Sequence, residues 1–159
     1  MAQETAINWD EATINNKLTL TISKRDLEAI YKKDYAITDP VPEFDTCGTE
    51  DEANVKMLYY KGVVFELDNN MLNFRRILFD KKNAGVFFTY KKSRFDETMT
   101  LDTFRKLFGN AEKIVDTFMH NLGKQITMSV PDSQNADDSW EFRFLNDKLK
   151  SVHYKFSCE

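Results

Sequence analysis

The chain has 159 residues, 42% of them apolar, with thirteen Phe, six Tyr and two Trp. This is enough for one globular unit or two closely packed halves, and too aromatic for a disordered chain. The formal charge of −4 argues against a nucleic-acid or anionic-membrane partner. No apolar run approaches the roughly 18 residues of a membrane span.

Residues 1–16 are polar apart from Ile7, Trp9 and Ile14, and Asn15-Asn16 marks a turn. Lys17 to Ile22 (KLTLTI) alternates and is rich in β-branched residues, which predicts a strand. Ser23 and Asp26 then form a capping-box-like pair at a helix start. Leu27, Ile30 and Tyr31 recur at i, i+3 and i+4 and define one buried helical face. The helix is expected to end near Asp34, because Pro40 and Pro42 forbid its continuation. An acidic loop (Glu43, Asp45, Glu50, Asp51, Glu52) reads as solvated and leads into a β-meander over Val55 to Phe79. The meander is punctuated by Lys61-Gly62 and Asp68-Asn69-Asn70.

The second half repeats this order. Val86 to Lys92 is a strand, Thr100 is a second N-cap, and Phe104, Leu107 and Phe108 form its helical stripe. Gly109 suits a helix C-cap, or a break before a second helical segment. Ala111, Ile114, Val115, Phe118 and Met119 continue at helical spacing as far as Gly123. Ile126 to Val130 is a strand, Pro131 to Ser139 a polar loop, and Trp140 to Phe156 a hairpin turning at Asn146-Asp147.

Two segments share one offset. Phe65 to Phe79 aligns without a gap to Phe142 to Phe156, 77 residues on, and Ser23 aligns to Thr100 at the same distance. The expected class is therefore α+β, as two tandem helix-plus-antiparallel-sheet repeats spanning residues 1–83 and 84–159 and packed as one unit. The pattern over Ser23–Tyr31, Thr100–Phe108, Phe65–Phe79 and Phe142–Phe156 resembles the small extracytoplasmic α/β repeat of the β-lactamase inhibitor proteins. The same unit occurs in the small lipoprotein subunit of the outer-membrane barrel-assembly machine. The chain departs from the inhibitor family in lacking a Gly before either helix start and in cysteines that do not pair within each repeat. The resemblance implies a non-enzymatic protein binder of the inhibitor or immunity-protein type, or an envelope assembly factor, and carries over no contact residue.

In the last strand Val152, Tyr154 and Phe156 alternate with Ser151, His153 and Lys155, an apolar face and a wet one. The wet positions correspond to Phe74, Arg76 and Leu78 in the first repeat, so that both faces of its sheet read as apolar. Tyr60, Phe88 and Tyr90 are expected to add to the outer face. Either the other repeat or a protein partner covers it; for a partner, these six residues are the anchors. A small apolar ligand or lipid carrier, with Phe74, Leu78 and Phe88 lining its pocket, is the alternative.

The remaining signals are weaker. No cofactor motif, phosphate loop or nucleophile elbow is present. Cys47 with His120 or His153 lacks the surroundings of a nucleophile, and two histidines make a poor zinc site. Asp132 to Asp138 offers oxygen ligands without the Gly and closing Glu of a calcium loop. Lys81, Lys82, Lys91, Lys92 and Arg94 form a basic cluster near a turn at Asn83-Ala-Gly85, read as a charged hairpin tip. The opening Met-Ala-Gln reads either as the scar of a removed signal peptide, which implies a monomer or homodimer in a bacterial periplasm or outside the cell, or as the plain start of a cytosolic chain. In an exported protein Cys47 and Cys158 are a candidate disulfide that closes a long loop, and in a cytosolic one they are unrelated thiols.

Overall fold

The computed structural model describes residues 4–40, 55–80, 85–109, 113–120, 123–135 and 137–156. The N-terminal segment is structured where the sequence suggested only a polar lead-in. A short 3-10 turn at Trp9–Glu11 precedes β1 (Ala12–Ile14) and β2 (Leu18–Thr19). Asn15 and Asn16 between them sit at φ 55° and 56°, the left-handed pair that a tight hairpin requires. The KLTLTI run is divided, because β2 pairs with β1 whereas β3 (Thr21–Ser23) pairs in a different sheet.

Both expected helix starts form. Ser23 Oγ accepts from the Asp26 N–H at 3.0 Å and opens α1 (Lys24–Tyr31). Thr100 Oγ1 accepts from the Thr103 N–H at 3.1 Å and opens α2 (Leu101–Phe108), with Gly109 at φ 51° just past its end. Helix α1 stops at Tyr31, since Lys32 has already turned to φ 60°. Leu27 is buried there, but Ile30 is 41% exposed and does not join the expected inner face.

The expected meander over Val55 to Phe79 forms β5 (Lys56–Tyr60), β6 (Val63–Asp68) and β7 (Met71–Leu78), and a strand the sequence reading did not expect, β4 (Ala36–Thr38), precedes it and pairs with β5. Strands β8 (Phe88–Tyr90) and β9 (Ser93–Phe95) follow. After α2 come β10 (Lys113–His120), β11 (Gly123–Pro131), β12 (Ser139–Leu145) and β13 (Lys148–Lys155). Strand β10 overturns the expected second helical stripe. Its Ile, Val, Thr and Phe content favours a pleated surface, and pairing with β11 along its whole length outweighs a helical spacing shared by five residues.

Two antiparallel sheets result. The smaller runs β2-β1-β8-β9; the larger runs β10-β11-β12-β13-β7-β6-β5-β4, with β3 added to β7. Two four-stranded meanders thus meet at their last strands, where Ser151, Val152 and His153 pair with Leu78, Ile77 and Arg76. The class is mainly antiparallel β with two short helices among the described residues. No described helix is long and apolar enough to cross a membrane.

Several local features recur 77 positions apart. Asn69 and Asn70 turn at φ 49° and 67°, Asn146 and Asp147 at 49° and 68°. The Lys24 N–H donates to the Asn70 carbonyl at 2.8 Å, and the Leu101 N–H to the Asp147 carbonyl at 3.1 Å. The β-bulges do not correspond. One falls at Arg75 in β7 and the other at Lys150 in β13, opposite the steps Val64/Phe65 and Arg143/Phe144.

One core lies between the large sheet and a layer made of the small sheet and both helices. Phe74 stacks on Trp140 at 6.0 Å between ring centroids, and Phe88 packs within 5.9 Å of both. Phe95, Phe104 and Phe108 surround Phe142. Both meanders therefore share this aromatic core, at roughly 1.5–3 kcal/mol of transfer free energy for each fully buried large side chain.

Candidate binding face

Every described element outside the large sheet packs on the same side of it, since Ala12, Leu18, Leu27, Phe88, Phe95, Phe104 and Phe108 all belong to the one core cluster. The other side of the sheet is set by register. Across it run Tyr59, Val64, Arg76, His153 and Glu141, each opposite the next on successive strands β5, β6, β7, β13 and β12. Leu78, Ser151 and Arg143 form a parallel row. Met57, Val64 and Tyr59 form a small apolar cluster of their own at one end.

The centre of this face is polar and partly shielded. His153 is 9% exposed and lies 3.0 Å from Ser151 through its Nε2, with the donor set by the imidazole tautomer. Burial, followed by the cations Arg143, Arg76 and Arg75, pushes the His153 pKa down to about 3. At neutral pH the imidazole is therefore uncharged and a weak proton acceptor. Arg143 approaches Glu141 at 4.0 Å, and Arg75 approaches Glu66 at 3.5 Å. Burial raises the Glu66 pKa against the opposing pull of Arg75. Arg75, Arg76 and Arg143 and the carboxylates of Glu66 and Glu141 thus gather around a neutral histidine.

Beside it the sheet splits. Arg76 and Leu78 pair with β13, but Asn73, Leu72 and Met71 pair with β3 instead. The bulged Arg75 sits at the fork, 6% exposed, with its guanidinium 4.4 Å from the centre of the Phe156 ring. The wedge between the diverging strands is a cleft of about 310 Å³ lined by Trp9, Thr21, Glu66, Asn73, Phe74, Arg75, Tyr154 and Phe156.

No family model, curated protein or solved structure matches this chain.

The six residues expected to present an outer aromatic surface separate. Phe74, Phe88, Tyr60 and Tyr90 are buried in the core, between 0% and 5% exposed, and only Arg76 and Leu78, both half-buried, lie on the face opposite the core. The bulge at Arg75 is the reason for Phe74. It lets Leu72 and Phe74 point inward before it and Ile77 and Phe79 after it, so the phase read from β13 fails by one residue. Tyr60 lies opposite the inward Val63 and stacks 4.4 Å from Tyr31, while Phe88 and Tyr90 belong to the small sheet. Neither of the two clefts among the described residues is lined by Phe74, Leu78 and Phe88 together.

Lys91 is tied to Glu4 at 3.0 Å, and Arg94 is tied to Asp96 at 2.9 Å while covering the Phe87 ring. These pairings suit a charged hairpin tip; Lys81 and Lys82 lie outside the described residues, as do Asn83 and the acidic loop. So do Cys47, Cys158 and the His120 side chain. Asp132 organises its own loop, accepting from the N–H groups of Gln134 and Asn135 and from the Trp140 indole at 3.2 Å. Among the described residues no group of three or more His, Cys, Asp or Glu is placed to hold a metal ion. Sequence reasoning missed Arg75, Arg143 and Glu141, whereas Ser151 and His153 were expected on the wet face and lie there. The Arg75-Arg76 doublet inside a strand was the available signal, because strict alternation sends one of the two inward.

Proposed function

We propose that this chain is a non-enzymatic protein-binding module that engages another protein through the face of its large sheet opposite the core. The observation that supports it is the face's composition and position. The core and its covering layer occupy one side, and the other presents Arg76, Arg143, Tyr59 and Leu78 around a neutral His153. Arg and Tyr flanked by apolar side chains are the usual composition of interface anchors. The proposal keeps the tandem-repeat reading, supported by the shared turns, caps and hydrogen bonds at an interval of 77 residues. An extracytoplasmic setting and an inhibitor or immunity role belong to the same proposal and rest on the sequence resemblance.

The test is capture from the envelope fraction of the source cell, with wild type beside Arg76→Glu and Leu78→Asp variants of unchanged melting temperature. A protein retained by wild type and lost with Arg76→Glu and with Leu78→Asp supports the proposal. Equal retention by wild type and both variants moves the binding surface elsewhere and overturns it.

A further inference from the structure

The cleft at the strand fork joins an aromatic wall to a polar rim. The wall is a corner: Trp9 meets Tyr154 edge to face, with 4.7 Å between ring centroids and 66° between planes, and Phe156 closes the far side. The rim is a row of residues directly opposite one another on β3, β7 and β6, namely Thr21, Asn73 and Glu66. The Trp9 indole donates to Thr21 Oγ1 at 2.9 Å, and Thr21 Oγ1 donates in turn to Asn73 Oδ1 at 2.8 Å. That chain fixes the Asn73 amide with its oxygen toward Thr21, and leaves both Nδ2 hydrogens without a side-chain acceptor among the described residues. Glu66 meets Arg75 through Oε2 at 3.5 Å, so Oε1 still has lone pairs to offer. Arg75 is itself buried and engaged within the protein, against Glu66 and the Phe156 ring, and acts here only as wall. Because Glu66 already faces a guanidinium, a charged ligand finds no unpaired countercharge in this cleft.

We propose that this cleft binds a single neutral pyranose ring through a vicinal diol. One hydroxyl donates to Glu66 Oε1, its neighbour accepts from Asn73 Nδ2, and a C–H face of the sugar lies against Trp9 and Tyr154. Directly opposed residues on antiparallel strands have Cβ atoms roughly 4.5–5.5 Å apart, which puts an amide donor and a carboxylate acceptor within reach of adjacent hydroxyls. Polarised C–H groups suit the negative face of an aromatic ring. A flat heteroaromatic ligand is disfavoured, because two rings 66° apart make a corner and no parallel slot. A lipid tail is disfavoured because it would strand Asn73 and Glu66 without partners. A volume of about 310 Å³, at the small end of the range for small-molecule sites, suits one ring rather than a chain of them. None of Arg76, Arg143, Tyr59 and Leu78 lines this cleft, so it stands apart from the partner-binding surface.

The test is a ligand-side series on the wild-type chain, which requires no variant to fold. The methyl α-D-pyranosides of glucose, galactose and mannose, each carrying a vicinal diol, are titrated beside tetrahydropyran-4-ol, the same ring with one hydroxyl. The readout is tryptophan fluorescence, because Trp9 lines the cleft and none of these compounds absorbs where indole does. At least one glycoside is expected to give a saturable change with a Kd on the order of 1 mM, from about thirteen heavy atoms at ordinary ligand efficiency. Tetrahydropyran-4-ol is expected to bind about tenfold more weakly or worse, having lost the paired hydrogen bonds of the diol. Asn73→Asp keeps the acceptor for Thr21 and removes the Nδ2 donor, and should weaken the glycoside by about tenfold. No saturable change from any glycoside at concentrations on the order of 100 mM overturns the proposal. So does equal binding of tetrahydropyran-4-ol, which leaves only an apolar slot, or unchanged glycoside affinity in Asn73→Asp, which places the sugar elsewhere.

Discussion

Replacing His153 with Gln isolates the electrostatics of the open face. In the folded protein the imidazole is held at a pKa of about 3, against 6.5 in the unfolded chain, by burial and by Arg143, Arg76 and Arg75. The sign follows from proton uptake. Above pH 6.5 neither state is protonated, and the shift contributes nothing. As the pH falls, the unfolded chain binds a proton that the folded chain refuses. Stability therefore declines by up to about 1.4 kcal/mol per pH unit until the folded pKa is reached. Two units below the unfolded value the loss is about 2–3 kcal/mol. Glutamine keeps a donor and an acceptor for Ser151 and cannot titrate. The carboxylates titrate alike in both proteins and cancel in the difference. Urea unfolding at stepped pH should show wild type losing stability relative to His153→Gln as the solution is acidified, and Arg143→Gln should make the wild-type decline shallower. Parallel curves for wild type and His153→Gln would refute the reasoning, because the imidazole would then titrate in the folded state much as it does in the unfolded one.

Three other outcomes follow from the packing. Phe74→Ala should cost about 3–5 kcal/mol in chemical denaturation, because the ring is fully buried against Trp140, whereas Leu78→Asp on the open face should stay within about 1 kcal/mol. Asp132→Ala strands two backbone N–H groups and the buried Trp140 indole, and should cost on the order of 3 kcal/mol, visible also as a shift in tryptophan emission. Asp147 sits at φ 68°, so Asp147→Val should lose about 1–2 kcal/mol of stability while Asp147→Gly is nearly neutral.

Local rules were legible where a single side chain decides the backbone. Ser23 and Thr100 cap the helices that follow them, and Asn69-Asn70 and Asn146-Asp147 adopt the left-handed turn their composition favours. Strand β10 was not legible, because Ile114, Val115, Phe118 and Met119 satisfy a helical spacing and a strand composition equally well. Pairing with β11, a contact set by the rest of the fold, decides between them. The small sheet was missed for a related reason: three-residue strands such as β1 and β8 are too short to show a period, and they form by pairing across more than seventy residues of sequence.

The open face turned on one residue of phase. Within Phe74-Arg75-Arg76-Ile77, strict alternation places Phe74 with Arg76 and Arg75 with Ile77, so each face receives one ring or aliphatic group and one cation. Burying a guanidinium in an aromatic core carries a large desolvation cost, whereas a bulge costs a local ladder hydrogen bond and a bend. The bulge is therefore the cheaper solution, and it sends Phe74 and Ile77 inward together while Arg75 is buried at the fork beside Phe156 and Arg76 is half-buried, neither within the apolar core cluster. That comparison needs only the sequence. Copying the phase from the second hairpin concealed it, because there the extra residue is Lys150, whose equivalent 77 positions earlier is Asn73 rather than Arg75. The same displacement separates β7 from β13 at the point where Arg75 sits and opens the cleft beside it. The difference between the two hairpins, more than their likeness, places the charges and the cavity on this face.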